Sequence, residues 1–433
     1  MNLYLGIDFG TSGARAVVID SNFRVKAQTK YIWETEENKL PHVWQKALFN
    51  LISNIPQEIR RKIRAIAIDG TSATVLLCNS DGKPVTETLL YNDSRGVTMM
   101  NKLKSIAPSN HSVISVTSSF AKLLWLTENT STLNQNQTYY FLHQADWLGF
   151  LLHGKLGVSD YNNVLKLGYD VNDLCYPDWL NNFVNSEVGK NIQLPEVVKP
   201  GATVDSVTTE IVNNFGLSPE CVVCGGTTDS IAAFIASGAN SPGEAVTSLG
   251  STLVLKLLSH TRVDNSKYGI YSHRFGNLWL VGGASNTGGA VLRHFFTEAE
   301  LESLSRQIDP NIESRLDYYP LLEKGDRFPI NDPELLPKLA PRPENSILFL
   351  HGLLEGIAKI ELRGYELLQA LSADTLTKVY TAGGGAKNST FTTIRGRCLG
   401  VPTMGAVHTD AAYGSAILAT RQFISDQTNL TGL

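Results

Sequence analysis

Leu3-Tyr-Leu-Gly-Ile-Asp8-Phe-Gly10-Thr11-Ser12-Gly13-Ala-Arg15-Ala-Val-Val-Ile-Asp20 reads as a β-hairpin. Apolar Leu3 to Ile7 and β-branched Val17 to Ile19 flank a turn of glycine and hydroxyl residues. Gly10 and Gly13 are able to take positive φ and to leave backbone N–H groups pointing outward, a geometry that cradles phosphate. Asp8, at the end of the first strand, is placed to hold Mg²⁺. Thr11 and Ser12 can donate to phosphate oxygens, and Arg15 adds a charge-assisted fork. A plain glycine-rich hairpin with an exposed aspartate is the competing reading, and other stretches decide between them.

The chain has 433 residues, beyond the size at which one core stops growing, so two domains are expected. Hydrophobic residues at 42% and charged residues at 18% fit an ordinary globular protein. A net charge of −4, with no basic cluster beyond Arg60-Arg61-Lys62, argues against nucleic acid as a partner. No apolar run reaches bilayer length, and the first strand begins at Leu3 without a basic leader; the expectation is a cytoplasmic protein with no membrane partner. The five cysteines do not suit a disulfide framework. Cys221 and Cys224 have redox or zinc spacing, but no second pair follows and their surroundings read as a buried strand.

In chain order, helical spacing from His42 to Lys62 is interrupted by Pro56, and Ile63 to Asp69 is a buried strand opening into Gly70-Thr71-Ser72. Helices are expected at Ser119–Glu128 and Gln144–His153. A second node, Cys221 to Gly238, runs strand, glycine loop and helix, with the helix opening at Asp229, where aspartate also makes a good N-cap. Glu244 to Leu258 is another hairpin, whose turn Gly250-Ser251-Thr252 echoes the first. Two such hairpins suggest duplicated lobes facing one phosphate chain. Gly288-Gly289 opens a further helix. Lys378 to Ala382 then runs into Gly383-Gly384-Gly385-Ala-Lys-Asn388, where residues without Cβ let an adenine or ribose lie on the backbone and Asn388 can hydrogen-bond it. A strand Val401–Val407 and a helix Asp410–Gln422 close the chain.

Four of these stretches, in this order, resemble the FGGY family of sugar kinases, within the actin-like ATPase fold. Gly6-Ile-Asp8-Phe-Gly10-Thr11-Ser12 is similar to the family's first phosphate motif and Gly226-Thr-Thr-Asp229 to its catalytic-base motif. Ser248-Leu-Gly250-Ser251-Thr252 is similar to its second phosphate motif and Gly383 to Asn388 to its adenosine motif. The resemblance implies an α/β fold of two RNase H-like lobes with a central cleft. Residues 1–238 would form a sugar- and phosphate-binding lobe and 239–433 a nucleotide-binding lobe, with a final helix at about 410–425 able to pack back on the first. The chain is shorter than most of the family, and Asp69-Gly70-Thr71-Ser72 stands where xylulose kinases carry Met-His-Gly. Within the family it looks most like the short D-ribulose kinases of cyanobacteria and plants, which Ser72 fits.

The implied chemistry is phosphoryl transfer from Mg-ATP to a small-molecule sugar, most simply D-ribulose to D-ribulose 5-phosphate. Such transfer rests on positioning and electrostatics. Asp229 is the expected general base, kept ionised by its helix dipole. Asp8 and Thr11 join it in catalysis, Asp8 holds Mg²⁺, and Asp8, Ser12, Ser72 and Asp229 touch the sugar. Thr11, Ser12, Gly13, Arg15, Gly250, Ser251, Gly289, Gly384, Gly385 and Asn388 bind the nucleotide. D-xylulose or another polyol as acceptor, an actin-like ATPase, and a sugar sensor without catalysis stay open, as does the oligomeric state.

Overall fold

The first hairpin anchors a seven-stranded sheet. In a computed structural model, which describes residues 2–34, 40–109, 111–130, 133–134, 136–186 and 191–423, β1 (Leu3–Phe9) pairs antiparallel with β2 (Gly13–Asp20), and β2 with β3 (Val25–Ile32). On its other side β1 runs parallel to β4 (Ile63–Gly70). A hairpin of β5 (Thr203–Ser206) and β6 (Val222–Cys224) extends the sheet with β6 parallel to β4, and β7 (Thr227–Thr228) pairs with the far end of β4.

Leu3, Leu5, Ile7 and Phe9 on one face of β1 and Tyr4 on the other are all buried, because helices cover both sides of the sheet. Helix α1 (Pro41–Ser53) starts with proline at its first turn, where a missing N–H costs nothing, and lays Val43, Trp44, Ala47, Leu48, Leu51 and Ile52 on the sheet. Each of the valine, leucine and isoleucine side chains contributes about 1.5–3 kcal/mol by leaving water. The helical spacing past residue 53 is broken as Pro56 dictates, leaving only the short helix Gln57–Arg60. The opposite side is covered by the helix Ala411–Thr420, whose backbone lies so close to β1 that a Cβ on Gly6 would stand 2.0 Å from the Ala412 carbonyl oxygen. Gly6→Ala would therefore force the two apart.

By its contacts the chain divides into two compact units, one of residues up to Ala236 joined by the segment from Asp410, the other Ser237–Thr409. The helix expected at about 410–425 thus belongs with the first unit; residues 424 and 425 lie outside the described residues. The first unit also contains α2 (Ser119–Asn129), the helix Gln144–His153 and α3 (Asp229–Ala236). Cys221 and Cys224 are buried free thiols at β6.

The second unit has a six-stranded sheet of β8 (Glu244–Leu249), β9 (Leu253–Ser259), β10 (Tyr271–Phe275), β11 (Leu278–Ser285), β12 (Lys378–Ala382) and β13 (Thr403–Gly405), in the order β10-β11-β9-β8-β12-β13. Its core repeats the first sheet. β8 is antiparallel to β9 and β9 to β11, as β1 is to β2 and β2 to β3, while β8, β12 and β13 run parallel, as β1, β4 and β6 do. The echo of the two hairpins is therefore an echo of whole sheets. Only Thr403–Gly405 of the strand expected over 401–407 pairs with its neighbour. Helices α4 (Gly289–Phe295), α5 (Glu298–Ser305), α6 (Ser346–Ala370) and α7 (Ser389–Leu399) pack around this sheet.

Candidate active site

Parallel register brings three carboxylates to one end of the first sheet. Asp8 is the register partner of Asp69, and Thr227 is the partner of Asp69 on its other side, so Asp229 follows just beyond the strand end as α3 begins. These are the carboxyl ends of parallel strands, where open α/β sheets place ligand groups. Asp229 Oδ1 accepts the Ser230 N–H at 2.6 Å.

The electrostatics of this corner are uneven. Burial, together with the negative charges of Asp229 and Asp410, pushes the Asp8 carboxyl up to about 6, against the contact with Asp69 and the charge of Arg15. Asp69 is fully buried, and burial and the charge of Asp8 raise it well above the usual carboxylate range. Its Oδ2 accepts the Ser415 hydroxyl at 2.6 Å, whereas its buried Oδ1 has no donor. Two carboxyl groups in contact need a proton between them, and Asp69 is the one that keeps it.

The turn of the first hairpin is closed by the Gly10 N–H donating to the Gly13 carbonyl at 3.0 Å, and the Gly10 carbonyl accepts Trp33 Nε1–H at 3.1 Å. Neither glycine takes a positive φ, contrary to the expectation from the sequence. Gly13 is glycine for a packing reason: a Cβ there would sit 2.3 Å from the Tyr31 carbonyl oxygen on β3. Thr11, Ser12 and Arg15 are exposed at the turn, and Arg15 stands 3.9 Å from Asp410.

Ser72 lies in the turn that follows β4, closed by the Thr74 N–H on the Thr71 carbonyl at 3.2 Å. Gln144 Oε1 takes both the Thr71 N–H and its hydroxyl, and the Thr71 and Thr74 hydroxyls share a bond at 2.5 Å. Among the described residues the half-buried Ser72 takes no part in these bonds.

In the second unit, the turn between β8 and β9 meets the start of α4: the Gly289 N–H donates to the Gly250 carbonyl at 2.9 Å, and Arg293 Nη2 donates to Ser251 Oγ at 3.1 Å. Gly384 has no protein atom within 4 Å of where a Cβ would stand, so packing does not explain the glycine there; Gly385, in contrast, abuts Leu249. Asn388 caps α7 through the Phe391 N–H at 2.9 Å and donates to Ser305 Oγ at 2.8 Å, tying α7 to the end of α5. Its amide keeps spare donor and acceptor capacity.

Sequence reasoning left out Asp69, Asp410, Ser415 and Arg293. Asp69 had a readable signal, since β1 and β4 both carry an aspartate one residue before their ends. The Asp410 and Ser415 contacts span the length of the chain and had none. Among the described residues no group of three or more His, Cys, Asp or Glu side chains forms a metal cage, and no helix is long and apolar enough to cross a membrane.

Residues 3–236 match the N-terminal domain of the FGGY family of carbohydrate kinases and residues 245–423 its C-terminal domain. The chain is 24% identical to a xylulose kinase of Bacillus subtilis over 421 residues, 90% of this chain and 82% of the relative. Its fold is that of a xylulose kinase from Rhodospirillum rubrum (TM-score 0.84, 18% identity, 100% of this chain and 92% of that one) and of a Plasmodium falciparum glycerol kinase with ADP (TM-score 0.83, 18% identity, 100% and 91%).

Proposed function

We propose that this chain, which belongs to the FGGY family of carbohydrate kinases, transfers the terminal phosphoryl group of ATP to the terminal hydroxyl of D-ribulose, giving D-ribulose 5-phosphate. The observation that carries the kinase chemistry is the convergence of Asp8, Asp69 and Asp229 at the ends of adjacent strands. Asp229 accepts the proton of the sugar hydroxyl as the new P–O bond forms and the bond to ADP breaks. Its weakness as a base is tolerable because proton transfer comes late in a loose transition state. Asp8 and Ser72 hold other hydroxyls of the sugar.

Thr11, Ser12, the Gly13 backbone and Arg15 serve the phosphates from the first unit. Gly250, Ser251, Gly289, Gly384, Gly385 and Asn388 serve the nucleotide from the second. A divalent cation such as Mg²⁺ fits Asp8: it is held by one or two carboxylates and otherwise by phosphate oxygens and water, so no three-ligand cage is required. Its charge would also offset the repulsion among Asp8, Asp229 and Asp410, which the charge of Arg15 opposes. The ion, when bound, neutralises charge on the transferring phosphoryl group. Five free thiols support placement in a reducing compartment, the cytoplasm.

D-Ribulose rests on Ser72, offered from a turn whose own bonds do not use it. D-Xylulose is the second reading, favoured by relatives named xylulose kinases. A coupled ADP-release assay across ketopentoses, alditols and aldoses tests the class. Asp229→Ala should fold, bind nucleotide and lose roughly two to four decades of sugar phosphorylation; near-normal turnover would reduce Asp229 to a helix-start residue.

A further inference from the structure

Lys122, on α2, is fully buried, and its ammonium group bonds two backbone carbonyls: Ala73 at 2.7 Å and Leu90 at 2.6 Å. A charge in a core is expensive, and filling the space needs only a methionine or leucine, so the two carbonyls are what the amine provides for. Burial pushes the amine down to about 7, with Asp93 opposing the fall and Lys166 and Arg95 adding to it. Charged or neutral, it still donates to both carbonyls. Asp93 is itself occupied by Arg95, whose guanidinium lies over the Trp125 ring at 4.5 Å, one helical turn beyond Lys122.

Ala73 has φ 61°, the left-handed region that L-alanine enters only under constraint. It is the neighbour of Ser72 in the turn closed between Thr71 and Thr74. The Leu90 carbonyl, the other end of the strap, belongs to a segment already fixed to the chain just past this turn, since Leu89 and Val75 exchange both backbone bonds at 2.9 and 3.0 Å. The amine thus bolts the Ala73 carbonyl to a rigid neighbour and holds the strained residue in place.

We propose that Lys122 is the positioning residue of the sugar-reading turn, fixing Ala73 in its left-handed conformation and thereby the direction in which Ser72 presents its hydroxyl. The inference rests on the ketopentose reading above and deepens it: sugar discrimination depends on a lysine that never touches sugar.

The test is a double-mutant cycle of Lys122→Met and Ser72→Ala, read as kcat and KM for D-ribulose and D-xylulose and KM for ATP. Lys122→Met should raise the KM for D-ribulose about tenfold, narrow the preference between the two sugars and leave the KM for ATP within about twofold. It should add little once Ser72 is already alanine, because both act through one hydroxyl. Adding Ala73→Gly to Lys122→Met should recover part of the loss, since glycine takes φ 61° unaided. Additive losses, an equal effect on ATP, or unchanged constants in Lys122→Met would overturn the proposal. Should Lys122→Met fail to fold, Lys122→Gln, which keeps two donors without the charge, enters the same cycle under the same criteria. A wild-type enzyme inert toward both ketopentoses would sink the substrate reading instead. The turn is then read by amide hydrogen exchange at residues 72–74, faster in the variant if Lys122 holds the turn and unchanged if it does not.

Discussion

Asp8 and Asp69 stand side by side as register partners on parallel strands, their carboxyl groups in contact, and Asp69 also accepts the Ser415 hydroxyl at 2.6 Å. The pair sits where the first strand of the hairpin, β4 and the helix Ala411–Thr420 all meet. It concentrates negative charge at the corner proposed above to receive a metal-bound phosphate chain.

That concentration has a cost in stability whose sign is fixed. Asp8 titrates near 6 in the fold and near about 3.9 in an unfolded chain, so between those values the folded state binds more protons. The Asp8 contribution to stability therefore falls as pH rises through that window and is level above it. Asp69 is shifted in the same direction. Asp8→Asn, without ligands, should melt at a higher temperature than wild type at pH 7.5, with the gap closing below about pH 4, while losing kinase activity. A variant less stable than wild type at pH 7.5 would show that Asp8 is not held against its charge.

The hydroxyl turns carry the nucleotide prediction. Ser251→Ala removes the partner of Arg293, and Thr11→Ala removes an exposed donor at the first turn. Each should raise the KM for ATP roughly tenfold, the scale of one hydrogen bond to a charged group, with the KM for sugar little changed. Initial rates across ATP concentrations check this, and a silent Ser251 would remove its turn from the nucleotide site.

Stability of the second unit is tested at its buried ion pair. Arg395 Nε and Nη2 reach the two Glu361 oxygens at 2.6 Å each, Nη1 reaches Thr381 Oγ1 at 2.6 Å, and both charged side chains are fully buried. Arg395→Met strands a buried carboxylate and should cost about 3–5 kcal/mol in urea unfolding; pairing it with Glu361→Leu should recover most of that loss. Equal stabilities for the single and double variants would contradict this account.

Much of the architecture was legible because β1, β4, β8 and β12 are mostly apolar strands that each run into glycine or hydroxyl residues, and the two hairpins share a turn chemistry. Helix Gln144–His153 stands where its apolar spacing placed it. What the sequence could not reveal depends on proximity. Gly13 looked like a phosphate-turn glycine, yet its missing side chain makes room for the Tyr31 carbonyl. Lys122 sat unnoticed in an apolar helix because its partners are backbone oxygens, which every residue has. Ser415 and Asp410 enter from a helix nearly the whole chain away, and no local pattern announces that crossing.

The central claim is an acceptor claim, and the ratio of kcat/KM for D-ribulose to that for D-xylulose measures it most directly. The two sugars differ at one inverted carbon, and a site that offers a hydrogen-bonding group to one configuration separates them strongly. The account predicts D-ribulose favoured by more than about tenfold, with the preference reduced in Ser72→Ala. Parity, or a preference for D-xylulose, would contradict it.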